Sequence, residues 1–325
     1  MARVVNSLPA ALAALSLTKE VREDDAIAIV LGARQVGDKG VKALVKAILR
    51  NTRSRQKLKS TGRLIIPLFD VSVCSLTDSC AEDIGTLIKE ISSLKSLKLN
   101  GNFLTSLGAK MIFQALEKNE SITNVQLENN RIGGHDAMEA LSDCLMANHV
   151  AFRVLQIQVN QVRDAGMRSL SRGLALNRHG ITQVNLWRCN IGDDGMVAFA
   201  KALHRNRTIE VANLSYNDIG DPGIYALCDA LLVNESLTSI DLRHNLLTYR
   251  SIMRMIPVVT NANNTLNDIK VEHNESISSE YLINKLLDHV DLNNIGVVQR
   301  HEEKMRNVHG QRELRRLTSG DGPKT

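Results

Sequence analysis

Two histidines, His244 and His273, stand 29 residues apart, each near an acid, Asp241 and Glu272. Imidazole and carboxylate donors of this kind hold a divalent metal when several converge on one point. A second stretch, Gly32-Ala33-Arg34-Gln35-Val36-Gly37-Asp38-Lys39, begins like a phosphate loop. Asp38 stands where such a loop requires lysine, so a nucleotide site is rejected. Arg131, in Asn129-Asn130-Arg131-Ile132, is of the type that some activating proteins insert to stabilise charge on a transferring phosphate. No HExxH or GxSxG occurs, and the five cysteines, Cys74, Cys80, Cys144, Cys189 and Cys228, form no CxxC pair. The most distinctive side chains are binding groups: Trp187, the single tryptophan, followed by Arg188.

The spacing of the two histidines is the period of the chain. A phrase of three apolar residues in the pattern LxxLxL, followed by two others and then often by Asn, recurs nine times. Examples are Ile122-Thr-Asn-Val125-Gln-Leu127-Glu-Asn-Asn130 and Leu237-Thr-Ser-Ile240-Asp-Leu242-Arg-His-Asn245. The third apolar positions are Leu31, Val73, Leu99, Leu127, Ile157, Leu186, Leu214, Leu242 and Val271, with steps of 42, 26, 28, 30, 29, 28, 28 and 29 residues. The first step is long by about half a repeat. The Val73 copy is the weakest, with Leu76 at the place expected for Asn. Each phrase alternates as a short strand does. A helical pattern follows it, as in Met196, Phe199, Ala200 and Leu203 after Ile191-Gly192-Asp193-Asp194-Gly195. Neither element can bury its apolar face alone. Stacking the units buries both, with parallel strands joined by right-handed crossovers.

The phrase LxxLxLxxNxIG followed by a helix, at a period of 28–29 residues, resembles the ribonuclease-inhibitor-like class of leucine-rich repeats. The resemblance covers about residues 24–290. It implies an α/β horseshoe solenoid of about nine repeats, with a parallel concave sheet and convex helices. The class includes inhibitors, Ran GTPase activators, actin-filament regulators, innate sensors and ciliary components. It therefore implies partner binding and little more.

Composition bounds the rest. The odd number of scattered cysteines reads as free thiols in a reducing compartment, with Cys189 at an Asn position, where this class also uses Cys to bond backbone. No apolar run approaches the length of a membrane span. Residues 1–23 read as an N-terminal capping helix rather than a targeting segment. The motifs Asn119-Glu-Ser121, Asn206-Arg-Thr208 and Asn234-Glu-Ser236 follow the repeat, which places them in loops between helix and strand. Of the net charge of +5, residues 50–63 carry +6, as Arg50, Arg53, Arg55, Lys57, Lys59 and Arg63, and the tail from Arg300 carries +3. The rest of the chain is thus at −4. The first segment reads as a basic insertion and 291–325 as a basic extension with a disordered end. Both suit an acidic surface such as tubulin. Nucleic acid is disfavoured, since neither segment interleaves aromatics and the body has no basic stripe.

If the repeated apolar residues face the core, the residues between them face the concave side. That surface is mostly amide-bearing, with Gln158 and Asn185 among its members. One patch differs: Trp187, Arg188, Tyr216, Arg243, His244 and Val159 fall in adjoining strands. Trp, Tyr and Arg are the types enriched where interfaces gain most of their energy. The expectation is a non-catalytic protein-interaction scaffold with no cofactor or metal, binding a partner on the concave face. The resemblance implies a cytoplasmic setting and admits a cytoskeletal or ciliary assembly. A GTPase activator of the Ran type is the alternative, although a basic tail stands where such activators carry an acidic one.

Overall fold

A computed structural model describes residues 2–16, 26–57, 64–147, 153–177 and 180–274. Among these, ten short strands form one parallel sheet in sequential order: β1 (Arg3–Val5), β2 (Ile27–Val30), β3 (Leu68–Asp70), β4 (Ser96–Lys98), β5 (Asn124–Gln126), β6 (Val154–Gln156), β7 (Gln183–Asn185), β8 (Val211–Asn213), β9 (Ser239–Asp241) and β10 (Asp268–Lys270). The helices that return the chain are α1 (Leu8–Ser16), α2 (Gly37–Lys57), α3 (Ala81–Glu90), α4 (Ser106–Leu116), α5 (Gly134–Met146), α6 (Arg163–Leu176), α7 (Asp193–Leu203), α8 (Asp221–Leu231) and α9 (Tyr249–Pro257). The chain is an α/β leucine-rich repeat solenoid. Most strands show a buried middle residue between two half-buried ones, as Leu97 between Ser96 and Lys98. The buried set joins the apolar helix faces in a single core from Val5 to Val271.

Two ladders of asparagine fix the turns. At the phrase's Asn position, Asn102, Asn130, Asn160, Asn217, Asn245 and Asn274 are buried. Each donates from Nδ2 to carbonyls of its own and the preceding repeat, as Asn130 does to Leu127 O and Leu99 O, both at 3.0 Å. Its Oδ1 accepts backbone N–H from the preceding turn, as from Leu104 at 3.2 Å. The second ladder lies between helix and strand. Asn119, Asn206 and Asn234 donate to Ile88 O, Leu174 O and Leu203 O at 2.7–2.8 Å. These are the asparagines of the Asn-x-Ser/Thr motifs. They sit in the loops expected of them, but Asn234 is only 1 % exposed. Their amide nitrogens are already committed to backbone.

A third ladder is made of carboxylates. Asp164 accepts from Gly192 N at 2.7 Å and Gly195 N at 3.0 Å, and Asp193 does the same for Gly220 and Gly223. The first-turn Asp of one helix thereby satisfies orphan N–H groups at the start of the next helix. Asp38 serves Thr77 in the same way, which is the use of the acid in the rejected phosphate loop. Burial alone would push the Asp38 and Asp221 carboxyls up. Hydrogen bonds from Thr77, and from Ser251 and Thr248, outweigh it and hold both below the ordinary range.

Three sequence expectations change. The strand pairing Phe69↔Leu97 makes Val71, not Val73, the third apolar residue of its copy. The steps are then 40 and 28 residues, and Cys74, not Leu76, occupies the Asn position, its thiol donating to Leu31 O at 3.2 Å. Val73 instead lies two places beyond, where the whole column from Ala33 to His273 is left-handed, with φ of +52° to +62°. Second, the N-terminal segment is not a helix alone. Its Arg3–Val5 strand pairs with Ile27–Ile29, so it caps the sheet as well as the helices. Third, residues 50–57 are the continuation of α2, which runs on past Asn51 as helix. Arg53 there forms a two-pronged pair with Glu90. Lys59 and Arg63, residues 17–23 and the extension 291–325 lie outside the described residues.

The left-handed column makes a test. Val73 holds φ of +52° while 57 % exposed, so its β-branched side chain is strained for little burial. Val73→Asn, matching Asn129 in the same column, is expected to raise stability by about 1 kcal/mol in a urea titration. An unchanged or lower midpoint would remove the strain argument.

Candidate partner-binding face

The left-handed turn at the end of each strand directs one side chain per repeat to a common rim of the open sheet face. The backbone N–H at that point bonds the next repeat: Arg188 N to Ser215 O at 3.0 Å and Tyr216 N to Arg243 O at 2.9 Å. In the last four described repeats the rim carries Arg188, Tyr216, His244 and His273. Tyr216 and His244 stack with ring centroids 3.9 Å apart and planes at 22°. His244 and His273 continue the stack at 4.6 Å and 13°. Trp187, one place inside the rim, meets Tyr216 edge-to-face at 5.7 Å and 84°. Such aromatic pairs add about 0.5–1.5 kcal/mol each beyond their buried area, so the column is a pre-organised surface.

The two histidines are therefore partners in a stack. Their rings face each other in nearly parallel planes, a geometry that does not aim nitrogens at one point. Among the described residues no group of three or more His, Cys, Asp or Glu is placed to hold a metal.

The remaining candidates divide into free and committed side chains. Arg188 is exposed, with no ion-pair partner among the described residues. Arg243 is committed: its Nε and Nη2 bond both oxygens of Asp241, at 3.0 and 2.6 Å, and its own backbone N–H bonds the same carboxylate. That carboxylate, nearly buried beneath it, pushes the Arg243 guanidinium's pKa up. Asn185 accepts from Trp187 N at 3.2 Å and so braces the turn that presents the indole. Val159 is half-buried on the rim beside Arg188, and Gln158 carries a buried Oε1 without a hydrogen-bond partner among the described residues. Nearby Glu128 has an Oε2 without a partner among the described residues, and burial pushes its carboxyl up. Arg131 lies with its guanidinium 4.9 Å from the Phe103 ring centroid. The cysteines are all buried, and burial pushes the Cys144, Cys189 and Cys228 thiols up to about 12, which removes them from nucleophilic chemistry. Cys189 Sγ points at Ile157 O and Trp187 O, at 3.5 and 3.6 Å, in the place of an asparagine.

The family described as Leucine Rich repeat matches residues 181–200 and 205–228, the repeats that carry Trp187 and Tyr216. The mouse ribonuclease inhibitor is 24 % identical over 212 residues, covering 65 % of this chain and 42 % of the relative. The pig ribonuclease inhibitor is 22 % identical over 211 residues, again 65 % of this chain and 42 % of the relative. This chain is a ribonuclease-inhibitor-like leucine-rich repeat protein. It spans less than half the length of the inhibitors it matches. Among solved structures, actin-binding site 2 of leiomodin-1 superposes with a TM-score of 0.46 at 19 % identity, over 51 % of this leucine-rich repeat protein and 95 % of that chain. No helix among the described residues is long and apolar enough to cross a membrane.

Proposed function

We propose that this protein is a binding scaffold without chemistry of its own, and that it grips a protein partner on the open, concave face of its sheet. The aromatic column of Trp187, Tyr216, His244 and His273 carries this reading. It exposes a contiguous edge of rings in consecutive repeats, with Tyr216 alone 47 % exposed. A rigid aromatic surface loses little conformational freedom on binding, and Arg188 supplies an unpaired cation at its end. Arg243, clamped by Asp241, presents a fixed donor plane.

The basic residues Arg50, Arg53, Arg55 and Lys57 of α2, with Lys59 and Arg63, are proposed to dock an acidic surface, with Arg53 the weakest contributor because Glu90 already holds it. A cytoskeletal or ciliary setting rests on the family resemblance alone. The test is affinity capture from the native cell with Trp187→Ala/Tyr216→Ala beside wild type, followed by titration of the captured partner. The double variant is expected to weaken that partner by roughly 30-fold, the range of an interface hot spot. An unchanged partner set, from a variant with unaltered circular dichroism, would remove the concave face from consideration.

A further inference from the structure

The outer, helical side of the solenoid has a groove of about 1180 Å³ between α6, α7 and α8. Its existence follows from residue size. Ala175, Ala198 and Ala226 lie along its floor, half-buried, where longer side chains would fill the valley between neighbouring helices. The volume exceeds that of a typical small-molecule site, and the floor is apolar, as in grooves that receive one face of a helix.

The rim of the groove identifies the chemistry of an occupant, and one side chain describes the state of its floor. Ser171 lines the groove and is 5 % exposed, yet its Oγ has no hydrogen-bond partner among the described residues. That hydroxyl exposes almost no surface of its own, so it marks a floor whose packing is not fully satisfied and not a point of contact. The charge along the rim is also unbalanced. Arg168 reaches Asp194 at 3.4 Å, Arg172 reaches Glu139 at 3.3 Å, and Asp229 is taken by Arg254 at 2.8 Å. Lys201 and Arg205 are exposed and have no carboxylate at ion-pair distance among the described residues. This surplus of two cations sits on a body whose net charge, outside the two basic segments, is −4.

We propose that this groove is a second docking site, for an acidic amphipathic helical segment of a partner protein. The segment's apolar ridge would lie over the three alanines, and its carboxylates would face Lys201 and Arg205. The site is on the opposite side of the sheet from Trp187, so the two interfaces are separable by mutation.

The experiment is fluorescence anisotropy on the full chain with fluorescein-labelled helical peptides that carry Leu at i, i+3, i+4 and i+7. One set is flanked by Glu, a matched set by Lys, and a third keeps the Glu but has its Leu replaced by Gln. Saturable binding is expected for the first set alone. It should weaken about tenfold in Lys201→Glu/Arg205→Glu and in Ala198→Trp, which fills the floor, and stay unchanged in Trp187→Ala/Tyr216→Ala. Circular dichroism melts establish that the variants fold. Failure of the Glu set to bind, equal binding of the Lys set, or insensitivity to both groove variants would each overturn the proposal.

Discussion

Replacing Asn217 by alanine is expected to destabilise the protein by about 4 kcal/mol, with the circular dichroism and Trp187 fluorescence transitions both moving in urea. The side chain is 6 % exposed and makes five hydrogen bonds. Its Oδ1 accepts from Cys189 N at 3.0 Å and Ile191 N at 3.1 Å, and its Nδ2 donates to Leu186 O, Leu214 O and Ser215 O at 2.8–3.3 Å. Not all of these partners are stranded by its loss. Leu214 O keeps the Asn245 amide at 3.0 Å. The two buried N–H groups and Leu186 O lose their side-chain partner, and each buried polar group left unpaired costs about 1–3 kcal/mol. Asn217→Cys should cost about half as much, because a thiol can still donate to the preceding carbonyl as Cys189 and Cys74 do, while accepting only weakly. Equal losses for Ala and Cys would mean that the donated bonds contribute nothing. A loss below about 1 kcal/mol for Ala would remove the ladder from the account of stability.

The same asparagines explain what could be read in the sequence. A residue whose side chain must reach three carbonyls and two N–H groups tolerates few replacements, so it leaves a visible mark every 28 or so residues. The strands and helices between those marks follow from apolar spacing alone. At Cys74, where the mark is a cysteine, the register slipped, although at Cys189 it did not. Cys74 does the asparagine's work, but Leu68, Val71 and Val73 fit the apolar template as well as Ile66, Phe69 and Val71 do, and only the pairing of Phe69 with Leu97 settles the choice. The β1 strand was hidden because three residues, Arg3-Val4-Val5, carry no asparagine mark and precede a helix of ordinary alanine-rich composition. The continuation of α2 was hidden because Arg50 to Lys57 has charge but no apolar face, and a polar helix looks like a loop in a hydropathy pattern.

Legibility of the candidate face had a different limit. Alternation along each strand led to the expectation that Trp187 and Arg243 lie on the open side, and the position after the last apolar pair added Tyr216. It could not show that Asp241 clamps Arg243, nor that His273 extends the stack beyond His244. Both depend on χ angles and on the left-handed turn at the rim. Pattern reading carries the position of a side chain and not the plane of its ring.

Gly173→Ala and Gly85→Ala are expected to move stability in opposite directions, although both glycines lie inside helices and both are buried. Intrinsic propensity favours alanine at each by about 1 kcal/mol. At position 85, in α3, the added methyl would stand 3.5 Å from Ala115 Cβ and 3.8 Å from Met111 O, which is ordinary contact. The propensity gain should therefore appear in full. At position 173, in α6, the methyl would stand 2.7 Å from both Cα and O of Ser142 in α5. Those are backbone atoms, which cannot rotate away, so α5 and α6 must separate and the core around Met138 and Leu141 must open. Overpacking of this kind costs about 1–3 kcal/mol, and against backbone it belongs at the upper end or beyond. After the propensity gain is subtracted, Gly173→Ala should lose about 2 kcal/mol where Gly85→Ala gains about 1. Urea midpoints of the two variants decide it. A gain at both positions would mean that the helices of the solenoid can slide apart without cost. In that case the close approach of α5 and α6 would not set the spacing that carries Trp187, Tyr216 and the groove between α6 and α8.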